Sequence, residues 1–238
     1  MTMTETQRML VTGGAAGIGR AIVEEGIDRG WDVVVLDREP SPVGTGVLAD
    51  LSDPDSTSRA LDEALKSGPI TRLVNNVGAV FPNALPNQTL GQVDMAYALN
   101  LRCAVQCTQA LLPDMTAAGF GRIVNMSSRA ALGKELRTAY AASKAGLIGL
   151  TRVWALELGP SGITVNAIGP GPIATELFTG ANNEEQTQRI VDAVPVRRMG
   201  TPADIAHTAG YLLDERSGFV TGQTIYVCGG LTVGVAPI

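Results

Sequence analysis

Short apolar strands and amphipathic helices alternate along this chain from one end to the other, and no other feature restricts its fold as much. Strand signals fall at 8–12, 32–36, 73–75, 122–126, 164–168 and 224–227, and helix signals at 17–29, 53–67, 89–118, 138–158 and 201–213. The strands are continuous runs, as in Val33-Val34-Val35-Leu36, and not apolar–polar alternations. Such runs are buried on both faces, which requires a parallel sheet with helices on each side. The helix at 89–118 is expected to bend near Pro113, and Ser52 or Asp53 to cap the helix that begins at Pro54. The stretch 173–198, with Gly180, Asn182, Asn183 and Pro195, reads as a long irregular segment suited to a substrate lid. With 238 residues, no linker and no internal repeat, one domain over 1–238 is expected, with 1–7 as a flexible tail.

The first strand turns into the first helix through Thr12-Gly13-Gly14-Ala15-Ala16-Gly17-Ile18-Gly19. Glycines at that junction permit a tight turn and a close approach of backbone to pyrophosphate, which the helix N-terminus attracts. Asp37 ends the second strand, 18 residues beyond Gly19. That is about where a dinucleotide fold places the carboxylate that accepts from ribose hydroxyls. The expected architecture is therefore an α/β, Rossmann-type, doubly wound parallel sheet of about seven strands. A carboxylate would repel a 2′-phosphate, so NAD is favoured over NADP. Arg38 could meet such a phosphate, but Ala15 and Ala16 bring no positive charge to the turn.

Composition excludes several other classes. Charged residues make up 17% of the chain, and the net charge of −5 is not gathered into blocks, which speaks against nucleic acid as a partner. No apolar run reaches the length of a membrane span or a secretory leader, so a cytoplasmic protein without a membrane partner is expected. Cys103, Cys107 and Cys228 read as small buried residues, and the one histidine, His207, as an ordinary helix residue. No metal site is expected from that set.

The chain resembles the short-chain dehydrogenases/reductases over nearly its whole length. The glycine turn matches the family's TGxxxGxG pattern. Asp50-Leu51 resembles the pair that holds the adenine, and Asn75-Asn76-Val77-Gly78 the NNAG motif with Val77 in place of Ala. Asn125-Met126-Ser127-Ser128 resembles the strand end carrying the catalytic serine, and Tyr140-Ala141-Ala142-Ser143-Lys144 matches YxxxK. Pro170-Gly171, Ile173 and Thr175 look like the segment that meets the nicotinamide amide. Thr221-Gly222-Gln223 and Gly229-Gly230 resemble the C-terminal signature, with Cys228 where many members have Asp.

The resemblance implies a catalytic set of Asn100, Ser128, Tyr140 and Lys144. It implies cofactor contacts at Gly13, Gly17, Ile18, Gly19, Asp37, Asp50, Leu51, Asn76, Gly78, Tyr140, Lys144, Pro170, Gly171, Ile173 and Thr175. Tyr140 and Lys144 are four apart on a helix and so share a face. A free tyrosine titrates near 10, and a neighbouring ammonium lowers that value toward the range useful for proton transfer. Ser128 would hydrogen-bond the substrate oxygen. Ser127 has the family's usual spacing of thirteen before the tyrosine, but Ser128 fits the motif as its second serine, so the following loop is read as one residue short. Asn100 would hold a water that extends the proton relay to the lysine, whereas Asn76 is structural or cofactor-contacting.

Ser128, Ala130, Leu132, Tyr140, Leu177 and Phe178 are the expected pocket, suited to an apolar alcohol or ketone. Arg129, Lys134, Glu135 and Arg137 nearby read as solvated surface, with an acidic or polar substrate as the alternative should one face inward. The expected activity is hydride transfer between NAD(H) and a secondary alcohol or ketone. The alternatives are an NADPH-dependent 3-oxoacyl carrier-protein reductase and a catalytically silent cofactor-binding protein. A homotetramer or homodimer is implied by the resemblance.

Overall fold

A computed structural model of the chain describes residues 7–181 and 183–233, without the side chains of Leu177, Thr179 and Ala181. The tail expected over 1–7 therefore lies outside the described residues except for Gln7. Seven parallel strands form one sheet: β1 (Arg8–Thr12), β2 (Asp32–Asp37), β3 (Thr45–Leu48), β4 (Arg72–Asn75), β5 (Gly121–Met126), β6 (Ile163–Pro170) and β7 (Thr224–Val227). Their spatial order is β3-β2-β1-β4-β5-β6-β7. The chain reverses its direction of travel across the sheet between β1 and β4. Doubly wound sheets bind ligands at such a switch point, beyond the C-terminal ends of the strands.

One core lies on each face. Helices α2 (Pro54–Leu65), α4 (Cys103–Ala118) and α5 (Thr138–Leu158) cover one side, burying Leu61, Leu111 and Ala155 against Leu10, Leu36, Leu73 and Ile123. Helices α1 (Gly17–Asp28) and α8 (Pro202–Leu213) cover the other, burying Ile22, Val23, Ile205 and Leu212 against Val11, Val35, Val74 and Val124. Successive residues of β1 and β2 thus serve opposite cores, which is why these strands have no polar face. Asp53 caps α2, accepting from the amides of Asp55 and Ser56. The three cysteines are buried, and His207 is an exposed residue of α8.

Three elements depart from the sequence-based expectation. β3 carries no strong strand signal because it is the exposed edge of the sheet; its pairing with Val34–Asp37 of β2, and not its own side chains, makes it a strand. The predicted helix over 89–118 consists of α3 (Leu90–Tyr97), a wider π-helical turn over Ala98–Arg102, and α4. The irregularity lies at Asn100 and not at Pro113, which α4 carries in its interior. The segment 173–198 is not irregular: it forms α6 (Glu176–Ala181) and α7 (Glu184–Ala193). Asn183 and Gln186 close a reciprocal capping box at the start of α7.

Candidate active site

The glycine turn follows β1, and the Asn76–Gly78 segment follows β4, so the two meet at the switch point. Thr12, fully buried, clips them together: its Oγ1 accepts from the amides of Asn76 and Val77 at 3.0 and 3.1 Å. Asn76 Nδ2 donates to the carbonyls of Thr12 and Gly13 at 3.0 and 2.8 Å. Asn76 is thereby a fastening for the turn, and both of its amide hydrogens are committed. A Cβ on Gly19 would lie 2.0 Å from the Gly13 carbonyl oxygen, so only glycine closes this loop.

Helix α1 starts at Gly17 behind Ala16, which offers no side-chain cap. By contrast α2, α3, α7 and α8 are capped by Asp53, Thr89, Asn183 and Thr201. An uncapped N-terminus with a glycine cradle fits a pyrophosphate, which would accept from the free amides. Asp37 closes the far side: its Oδ2 accepts from the Ala15 amide at 2.9 Å and its Oδ1 from the Glu39 amide at 3.2 Å. Each oxygen keeps a lone pair for a ribose hydroxyl. Asp50, exposed between β3 and α2, is bonded by the Ser52 hydroxyl and amide, which with Arg38 nearby hold its carboxyl below the usual range. Leu51 beside it is buried in the core.

Tyr140 and Lys144 lie in the first turns of α5 and face the ends of β4 and β5. Lys144 is 3% exposed, and its Nζ donates to the Met126 carbonyl at 2.7 Å. Burial lowers its pKa to about 8. The ammonium sits 5.8 Å from the centre of the Tyr140 ring. Gly78 leaves room for it, since a Cβ there would come within 3.0 Å of Nζ and 2.9 Å of Asn100 Oδ1. Tyr140 does not have the lowered pKa expected from its lysine neighbour. Burial of the phenol pushes it up, and the Ser128 hydroxyl and Arg137 offset this only in part.

The two serines have different surroundings. Ser127 is buried, and its Oγ donates to the Lys144 carbonyl at 2.8 Å. Ser128 is partly exposed beside Tyr140; its Oγ accepts from the Ala130 amide at 3.1 Å and caps the short turn Arg129–Leu132. Asn100, in the π turn, accepts from the Ala79 amide at 2.7 Å and donates to the Ala79 carbonyl at 3.1 Å and to Ser143 Oγ at 2.9 Å. Ser143 in turn donates to the Tyr140 carbonyl at 2.9 Å. Thr12, Ser143 and the Met126 carbonyl are organising groups that the sequence reading had given no role.

Both the sequence and the seven-stranded fold have counterparts among known proteins. The family profile described as Enoyl-(Acyl carrier protein) reductase matches residues 13–232. The chain is a short-chain dehydrogenase/reductase. It is 36% identical over 235 residues to the BbsD subunit of a hydroxy(phenyl)methylsuccinyl-CoA dehydrogenase from Thauera aromatica, covering 93% of this chain and 94% of that one. It is 34% identical to a 3-oxoacyl-acyl-carrier-protein reductase of Staphylococcus aureus, with 96% and 99% covered. A crystal structure of a putative gluconate dehydrogenase from Agrobacterium tumefaciens superposes with a TM-score of 0.90 at 29% identity, over 96% and 97% of the two chains. As a short-chain dehydrogenase/reductase it is an oxidoreductase that acts on CH–OH or keto groups with a nicotinamide cofactor.

In this dehydrogenase/reductase the chain after Pro170, the end of β6, runs across to the glycine turn. Gly171 packs against Cys228, where a Cβ would lie 2.7 Å from the Cys228 backbone. Ile173 is buried and bridged to Gly200, and Thr175 reaches within 3.6 Å of where a Gly17 Cβ would stand. Ala130 is buried and Leu132 exposed; Phe178 is half-buried at the start of α6. Leu177's side chain lies outside the described residues. Among the described residues no helix is long and apolar enough to cross a membrane.

Proposed function

We propose that the protein transfers hydride between NAD(H) and a secondary alcohol or its ketone. The observation that carries this reading is the convergence of Ser128, Tyr140 and Lys144 beside an uncapped glycine cradle closed by Asp37. A bound nicotinamide supplies or accepts the hydride. Tyr140 gives its proton to the carbonyl oxygen in reduction and takes the hydroxyl proton in oxidation. Ser128 donates to the same oxygen and steadies its developing charge. Lys144 holds positive charge next to the phenol and would hydrogen-bond the nicotinamide ribose. Asn100 fixes the backbone at Ala79 and, through Ser143, the first turn of α5, and it positions water for proton exchange. Asp50 and Leu51 would hold the adenine, Gly17, Ile18 and Gly19 the pyrophosphate, and Pro170, Gly171, Ile173 and Thr175 the carboxamide. Ala130 and Phe178 shape the substrate side, beneath a lid formed by α6 and α7.

Asp37 supports NAD as the cofactor, since its Oδ2 already meets, at the Ala15 amide, the turn that the ribose would enter. Asp37→Ser is expected to weaken NAD(H) and improve NADP(H), moving the ratio of the two kcat/KM values by about 10- to 100-fold. Parallel 340 nm assays with both cofactors measure it; an unchanged ratio removes Asp37 as the ribose reader. The alternative of an NADPH-dependent 3-oxoacyl carrier-protein reductase draws on the S. aureus relative, and turnover restricted to NADPH would favour it.

The serines separate by environment. Ser128→Ala is expected to lower kcat by roughly 100-fold with little change in stability. Ser127→Ala is expected to cost about 1 kcal/mol of stability, because it removes a buried hydrogen bond to the Lys144 carbonyl. Kinetics and thermal melts of the two variants test this, and the reverse pattern would move the catalytic role to Ser127. Apolar residues left exposed on the helices, Leu90 and Tyr97 on α3 and Val153 and Leu156 on α5, support assembly into a homodimer or homotetramer.

A further inference from the structure

The opposite edge of the sheet, where strands begin, carries one arginine on each of three adjacent strands: Arg8 on β1, Arg72 on β4 and Arg122 on β5. All three are buried. Arg8 is neutralised by Asp32 at 2.8 Å and donates to the Ala64 carbonyl on the α2 side. Arg72 and Arg122 are register partners and so project to the other face. The Arg122 guanidinium is spent on the carbonyls of Gly121, Gly162, Asp214 and Glu215, at 2.8–3.2 Å.

Arg72 differs. Its guanidinium lies over the rings of Trp31 and Phe120, 4.6 and 4.9 Å from their centres. Nε donates to the Leu213 carbonyl at 3.0 Å. Among the described residues its two terminal nitrogens have no hydrogen-bond partner, and no carboxylate lies within ion-pair distance. Arg72 lines a cavity of ≈ 200 Å³ with Gln7, Thr71, Phe120 and Glu215, the last beyond 4 Å. Two aromatic rings against the guanidinium favour its charge while leaving its terminal nitrogens for a ligand. Burial, with Arg122 beside it, lowers its pKa only to about 10, so it stays charged at neutral pH. Glu215 and Asp214 compensate the charge only from a distance, and an anion bonded to the terminal nitrogens in the cavity would offset the remaining cost of burial.

We propose that this cavity is a binding site for a small oxyanion, a carboxylate or a phosphate group, taken by the terminal nitrogens of Arg72. It is separate from the nicotinamide site, which lies at the other end of the strands. Glu215 opposes the ligand electrostatically and sets the affinity.

Trp31 reports on the site directly, and Trp154 is the only other tryptophan. In a Trp154→Phe background, emission is followed while inorganic phosphate, and separately acetate, is added at fixed ionic strength. A saturable change is expected with at least one of the two, and the tighter ligand names the group the site reads. Arg72→Met should abolish the change, and Glu215→Gln should tighten binding several-fold. A change that fails to saturate, one that survives in Arg72→Met, or a Glu215→Gln affinity no greater than the parent's overturns the proposal. These readouts use no turnover, so they stand apart from the fate of the hydride-transfer reading.

Discussion

Tyr140→Phe is expected to lower kcat by about 10³-fold in both directions while NADH still binds, since general acid–base catalysis contributes roughly 10²–10⁴-fold. The ring and its packing are retained and only the transferable proton is lost. Cofactor affinity, read by NADH fluorescence, should stay within about threefold of the parent, because the variant removes a single hydroxyl from a many-contact site. The pH profile carries the second half of the prediction. Burial raises the Tyr140 pKa, so the phenol is protonated at neutral pH. Ketone reduction needs that proton and should hold through neutrality, falling only on the alkaline side. Alcohol oxidation needs the phenolate and should rise with pH over the same range. In Tyr140→Phe both slopes should vanish. Turnover within tenfold of the parent, or an unchanged profile, would take the proton away from Tyr140.

The parts of this site visible in the sequence are those in which a side chain or a glycine carries the requirement. The turn at 12–19 is legible because only glycine tolerates the left-handed backbone of Gly13 and Gly17, at φ of +68° and +56°, and the contact at Gly19. The Tyr140–Lys144 pair is legible because a spacing of four fixes a shared helix face. The π turn at Asn100 is not, because its cause is tertiary: the Asn100 amide bonds both backbone groups of Ala79, 21 residues away. The anchor for Lys144 is a backbone carbonyl, and carbonyls leave no trace in residue type. β3 was missed for a related reason, since Thr45, Gly46 and Leu48 are exposed and their strand geometry comes from β2. The two helices of the 173–198 segment have local caps, but α7 buries no residue, so the apolar periodicity that identifies a helix is weak there.

Lys144→Met is expected to trade activity for stability. The folded protein lowers the Lys144 pKa from 10.5 to about 8 because the ammonium is desolvated; among the described residues the Met126 carbonyl is its hydrogen-bond partner and no carboxylate lies in ion-pair distance. A cation whose pKa is depressed on folding destabilises the fold wherever it is charged in both states, here below about pH 8. The shift corresponds to about 3 kcal/mol at neutral pH. Between about pH 8 and 10.5 the unfolded chain binds the proton more tightly than the folded one, so stability contributed at this position rises with pH. Methionine fills a similar volume without the charge, and the Met126 carbonyl loses its donor, which returns about 1 kcal/mol of the gain. At pH 7 the variant should be about 2 kcal/mol more stable, a rise in Tm of roughly 4–8 °C, and the advantage should shrink toward pH 10. Activity should fall by about 10²-fold or more, since the phenol loses its neighbouring charge and the ribose its donor. Melting curves at pH 7 and pH 10, run beside turnover assays, test both halves. A variant less stable than the parent at pH 7 would mean that the ammonium is better satisfied than its one carbonyl implies. A stable variant of full activity would mean that Lys144 is structural. The combination of a gain in stability with a loss of turnover is what a cation held for chemistry, against the cost of its burial, should produce.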